Sequence, residues 1–175
     1  MKKLFGLLLV LFSVACISSV GRATESATEA EATAAFLFNF ARYTDWPLAQ
    51  DKRQNEPLYF CFYRAERAAE VSTTMLTGTL VGDRNVVVRS VRITADLKGC
   101  DLVYTRDPSP EWLISPGHGC LTIGRGREFI DSGGIIALVE QGDHLRFIVN
   151  RRSAREAGLA LSSKLLNLAV EVIDE

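Results

Sequence analysis

The stretch Gly124–Asn150, GRGREFIDSGGIIALVEQGDHLRFIVN, decides the fold. Its two glycine clusters each stand beside an apolar run, and glycine-rich turns after strands often cradle phosphates. A dinucleotide fingerprint needs Gly-x-Gly-x-x-Gly between a strand and a helix. Gly124 and Gly126 fit the first two positions, but Phe129 stands at the third, and Gly133 and Gly134 break any conventional helix within a few residues. A Walker loop needs Gly-Lys-Ser/Thr, which the chain lacks. A plainer use of the glycines accounts for the pattern. IIALVE and HLRFIVN read as two strands separated by QGD, a hairpin with Gly142 in the turn. Gly133–Gly134 opens the first arm, where a bulge or a close backbone approach is expected.

Beyond the hairpin, Asn150 caps a helix RRSAREAG that Gly158 ends. Ser162 or Ser163 caps a last helix, SKLLNLAVEV, with Leu165, Leu166, Ala169 and Val172 on its apolar face. Upstream, LYFCFY (58–63) is an apolar, aromatic-rich run without polar alternation, which suits a strand buried on both faces. A helical stretch from Arg64 to Leu76 follows, with Gly78 to end it. RNVVVRSVRI (84–93), CDLVYT (100–105) and CLTIG (120–124) supply three further strands. The piece RDPSPEWLISPGHG between the last two holds three prolines and two glycines, room for no more than a turn of helix. That is short for a parallel crossover. The order nonetheless predicts one α/β domain, a mostly parallel sheet flanked by helices with a β-hairpin and two helices at the C-terminus. Residues after Tyr63, Thr105 and Gly124 would then line a crevice at the carboxyl ends of the strands.

The N-terminus, MKKLFGLLLVLFSVACISSVGRA, opens with Lys2 and Lys3. The apolar run from Leu4 to Ala15 that follows is short for a bilayer span. This order reads as a secretory signal over residues 1–23, cleaved after Ala15 or Ala23, with the mature domain over 24–175. Cys16 after Ser-Val-Ala raises lipidation as an alternative, which Ser13 opposes because such signals carry an aliphatic residue there. An uncleaved anchor helix is a further alternative. No later run has 18 consecutive apolar residues. Residues 24–35 form a small, acidic tail that runs into a helix, AEATAAFLFNFARYTDWP, stopped by Pro47. Phe36, Leu37, Phe40, Ala41 and Tyr43 fall mostly on one stripe of it, read as core packing or as a partner-binding face.

The 175-residue chain has a formal net charge of −1, which gives no electrostatic reason to expect nucleic acid. Its cysteines are Cys16, Cys61, Cys100 and Cys120, without CxxC and without metal-ligand spacing among Cys and His. His118 and His144 sit in a glycine loop and a hairpin, without a nucleophile or base at motif spacing, and read as solvated. An Asp131–Asp143 dyad has nothing to support it, and no Gly-x-Ser-x-Gly occurs. No catalytic, cofactor or metal site is therefore expected.

Read together, FLFNFARYTDWP (Phe36 to Pro47) and LTIGRGREFIDSGGIIALVEQGDHLRFIVNRRSAREAGLALSSKLLNLA resemble the YfiR family of small periplasmic proteins. Phe129, Gly133, Gly134, Phe147, Asn150, Gly158, Ser162 and Ser163 fall within that likeness. The resemblance implies a periplasmic binding protein that represses a membrane-anchored diguanylate cyclase by docking on its periplasmic sensor domain. This lowers cyclic di-GMP and restrains biofilm formation. It also implies a homodimer and a disulfide. Cys61 and Cys100 resemble the bridged pair, which would close a loop of about 40 residues and stabilise by ~4 kcal/mol in the chain-entropy treatment. Cys120 departs from the pattern; it is left as a buried thiol, an intermolecular link or a redox-sensitive site. Phe36, Phe40, Tyr43, Trp46 and the C-terminal helix are the candidate partner surface. The other reading is a non-catalytic periplasmic sensor of a small ligand.

Overall fold

The computed structural model describes residues 20–46, 56–114 and 119–174. Residues 1–19 of the signal segment, with Ala15 and Cys16, together with Pro47 and His118, lie outside the described residues, whereas Ala23 falls within the helix that begins at Val20. In chain order the elements are α1 (Val20–Arg42), β1 (Thr44–Asp45), β2 (Leu58–Tyr63), α2 (Glu66–Leu76), β3 (Leu80–Val81), β4 (Arg84–Val91), β5 (Leu102–Thr105), β6 (Leu121–Arg125), α3 (Gly126–Asp131), β7 (Ile136–Gln141), β8 (His144–Asn150), α4 (Arg151–Glu156), β9 (Ala160–Leu161), α5 (Ser163–Leu168) and β10 (Glu171–Ile173).

Eight strands form one sheet in the order β10-β8-β7-β6-β5-β2-β4-β3. The run β4-β2-β5-β6-β7 is parallel throughout. Numbered by appearance, those five strands stand 2-1-3-4-5, a doubly wound order with its topological switch between β2 and β5. The expected hairpin is present, with β7 antiparallel to β8, Gln141 opposite His144 and Gly142 at φ +60°.

Alternation along the strands gives the sheet two unequal faces. Leu58, Phe60 and Phe62 of β2, Leu121 and Ile123 of β6, Ile136 and Leu138 of β7, and Phe147 and Val149 of β8 join the main core with α1 and α2. Phe40 of α1 stacks edge-on to Phe147 at 4.9 Å between ring centroids, and Phe36 joins both rings. The opposite face is thin. Cys61, Tyr63 and Val103 face Cys100 and Cys120 there, and Phe129, Ile130 and Leu113 cover Ala137 and Ile148. The short links explain this. After the switch the crossovers are only single 3-10 turns at Thr94–Leu97 and Glu111–Ile114, then the six-residue α3. Parallel pairing of β5 with β6 survives the helix-poor link because Trp112 and Leu113 pack where a longer helix would lie.

Three local expectations are corrected. The first helix ends at Arg42, ahead of Pro47, because Thr44 and Asp45 pair with Leu161 and Ala160. A short helix, α3, does follow Gly124-Arg125, ending before Gly133 at φ +98°. The last helix stops at Leu168. Val170 then donates to the Phe147 carbonyl, and Glu171–Ile173 runs as an edge strand parallel to β8, so Val172 belongs to that strand.

The caps stand where the sequence puts them. Asn150 Oδ1 accepts from the Ser153 amide at 2.9 Å, and Ser162 Oγ from the Leu165 amide at 3.3 Å.

Candidate functional site

Every parallel strand up to β6 is followed or ended by an arginine. Tyr63 is in register with Val91 and with Thr105, and Tyr104 with Ile123. Carrying those registers to the strand ends aligns Arg92, Arg64, Arg106 and Arg125 in one row along β4, β2, β5 and β6. Neighbouring strands stand about 4.8 Å apart, so four guanidinium-bearing residues are crowded along one edge. Like charges in register destabilise a sheet unless anions intervene.

Carboxylates meet three of the four. Glu66 pairs with Arg92 at 3.4 Å. Glu29, reaching down from α1, pairs with Arg106 at 3.2 Å and also with Arg125. Glu140 pairs with Arg125 at 2.7 Å. The Arg125 side chain is 15% exposed, so its contacts are better shielded from water than the others. Arg64 alone of the row has no carboxylate partner among the described residues. Its guanidinium lies 5.1 Å from the Tyr63 ring centroid. It is also the one non-glycine residue with positive φ among those described, at +49°.

A cavity of about 210 Å3 opens at this point, over the switch between β2 and β5. Glu29, Glu66, Arg64, Arg67 and Arg106 line it with Ala30, Ala65 and Ala68; the Arg67 guanidinium is paired with Glu70 at 2.9 Å, and that of Arg64 leans towards Tyr63. Ala65, at the N-cap of the 11-residue α2, makes no side-chain cap, so the first amides of that helix are left for water or a ligand. Tyr104 forms part of the floor. Burial pushes its phenol above the ordinary value, against the pull of Arg125 and Arg106, so it stays protonated. Beyond Glu29 a wider groove of about 540 Å3 runs past Arg125 and Glu140 to the hairpin turn and His144.

The sequence-predicted residues fall elsewhere. Phe40 is buried inside the core; Phe36, Tyr43 and Trp46 are partly buried and packed against it. Cys61 and Cys100 are bridged, with Cα atoms 5.9 Å apart, joining β2 to the loop that enters β5. Cys120 is a free, buried thiol beside that bridge, and burial, with the charge of Asp101, pushes it up to about 12. Of the expected crevice positions, those after Tyr63 and Thr105 line the smaller cavity and the one after Gly124 lines the wider groove, and the residue at each is an arginine. That repeat, LYFCFY-R, LVYT-R and LTIG-R, is the signal that could have found the row.

The fold is a doubly wound α/β domain with a charged cleft at its switch point. Its sequence matches the profile of the YfiR/HmsC-like family over residues 30–170, and the chain belongs to that family. At the level of the family this carries regulation of a diguanylate cyclase. No curated protein matches. Two solved structures are similar in part. A conserved domain protein from Vibrio cholerae shares 10% identity at a TM-score of 0.43, over 73% of this chain and 60% of that one. An ABC domain in complex with L-Trp from Streptococcus pneumoniae shares 11% at 0.42, over 69% and 56%. The chain thus spans less than two thirds of either. No helix among the described residues is long and apolar enough to cross a membrane.

Proposed function

We propose that this protein is an exported, non-catalytic repressor that docks on the periplasmic sensor domain of a membrane-anchored diguanylate cyclase and holds its cyclic di-GMP output low. The family match over residues 30–170 carries the reading. In support, a bridged Cys61–Cys100 pair suits an oxidising compartment. The contact surface is the stripe of α1 and the turn after it, where Phe36, Tyr43 and Trp46 keep part of their surface open while Phe40 anchors the helix from behind. The repressor acts as a homodimer. Membrane extracts passed over the tagged exported protein, with and without reductant, test the reading. Retention of a diguanylate cyclase supports it, as does a rise in cyclic di-GMP on deleting the gene. Unchanged cyclic di-GMP in the deletion strain counts against it.

A further inference from the structure

Glu29 stands between two cavities. It lines both the smaller one, over the switch between β2 and β5, and the wider groove that runs to the hairpin turn. Its Oε1 accepts from Nη1 of Arg106, which lines the smaller cavity, at 3.2 Å, and from Nη1 of Arg125, which lines the groove. We propose that the Glu29 side chain is a gate. It closes the switch-point crevice as an internal stand-in for a ligand carboxylate, and a carboxylate ligand that replaces it on Arg106 and Arg125 joins the two cavities into one.

The backbone beneath the gate is fixed, and the side chain is free to leave. Thr33, itself buried, donates its hydroxyl to the Glu29 carbonyl at 2.9 Å, and buried Ala30, Ala34, Leu37 and Phe40 hold the turns that follow. The Glu29 side chain is 36% exposed, so a rotamer change carries its carboxylate into water without disturbing the helix. The pair with Arg106 is exposed on both sides, and breaking it costs little. Opening leaves the cations in place. Arg125 stays aimed by Glu140 at 2.7 Å and is shielded from water, while Arg106 loses its one recorded carboxylate. Two guanidiniums on neighbouring strand ends repel unless an anion stands between them. Both now meet the same oxygen of Glu29, so a free carboxylate can offer them an oxygen each. The carboxyl ends of the strands at a switch point are also where doubly wound sheets take their ligands.

A closed gate lowers the apparent affinity of the parent by the fraction of time that Glu29 is away, and this supplies the test. Glu29→Ala removes the gate with a residue that favours helix. Titration calorimetry on the full exported protein would use acetate, with acetamide as the uncharged isostere and chloride as the plain anion. Acetate should bind Glu29→Ala at least tenfold more tightly than the parent, acetamide should not bind, and adding Arg106→Gln should abolish the gain. The parent gives a second reading that needs no variant. With isotope-labelled arginine, acetate should move the Arg125 Nε–H resonance of the parent towards its position in acetate-bound Glu29→Ala, and chloride should not. A purely structural ion pair predicts otherwise. No binding of acetate to Glu29→Ala, equal affinity in the parent, binding that survives Arg106→Gln, acetamide or chloride binding as tightly as acetate, or an Arg125 resonance that acetate leaves still each overturns the proposal. The gate goes beyond the repressor reading and is measured without the cyclase, so the failure of either leaves the other standing.

Discussion

Phe129 occupies a seat that two glycines make possible. A Cβ built on Gly124 or on Gly134 would fall inside contact distance of the Phe129 ring, and at Gly134 also 2.7 Å from the Phe129 carbonyl oxygen. What resembles a nucleotide loop is thus a socket for an aromatic side chain, which is fully buried and closes the thin face of the sheet. Gly134→Ala should destabilise by roughly 1–3 kcal/mol through overpacking. Made in a Phe129→Leu background, the same change should cost clearly less, because the clash partner has shrunk. Urea unfolding of the four proteins in that cycle measures the coupling, and an additive result would mean the ring is not the obstacle. Cys120 gives a second residue-scale expectation. Its pKa is higher in the folded protein than the ordinary 9.0 of the free thiol, so the folded state holds its proton more tightly. The stability this confers is complete below about pH 9 and is lost as pH climbs towards the folded value, by ~1.4 kcal/mol per pH unit. Native protein at mildly alkaline pH should leave Cys120 unmodified by iodoacetamide, and unfolded protein should not; rapid native labelling would show that the thiol is open to solvent.

At the scale of the element, the strands were readable in sequence because their side chains satisfy both faces with apolar groups. LYFCFY needs no partner to declare itself a buried strand, and IIALVE-QGD-HLRFIVN carries its own turn. The elements misjudged are those whose fate is settled by distant pairing. Tyr43-Thr44-Asp45 continues a helical stripe in sequence, but the chain at 160–161 draws it into a bridge. Glu171-Val172-Ile173 continues the apolar spacing of α5, but a vacant edge beside β8 takes it as a strand. The arginine row has the same origin. Each arginine is visible singly, and only the registers show that they stand level. The disulfide works at this scale too, tying β2 to the entry of β5 across a separation of 39 residues. Replacing both Cys61 and Cys100 by alanine should lower stability by ~4 kcal/mol, read from urea midpoints in oxidising buffer. The same difference should vanish in reductant. A double variant as stable as the parent would mean the bridge merely decorates a loop that the sheet already holds.

For the molecule as a whole, the two faces differ in what secures them. One is closed by α1 and α2 over a continuous aromatic and aliphatic core, with Glu29 fastening α1 to Arg106 and Arg125 at its outer edge. The other is closed by single turns, by α3 and by the buried bridge, with Trp112 against Tyr63 at 5.8 Å as its main aromatic contact. Fewer apolar contacts and more turn backbone make the second face the place where local opening is cheapest. Reduction removes its covalent tie and leaves the first face as it was. Hydrogen exchange should therefore accelerate on reduction in the segment from Thr94 to Leu113, β5 included, while amides of α1 from Ala34 to Ala41 and of α2 keep their protection. The comparison is made at a temperature where the reduced protein still shows its native near-ultraviolet dichroism, so that global unfolding does not contribute. A uniform rise across both faces would show a sheet that opens as one unit, and the division of labour between a helix-covered face and a bridge-held face would then be wrong.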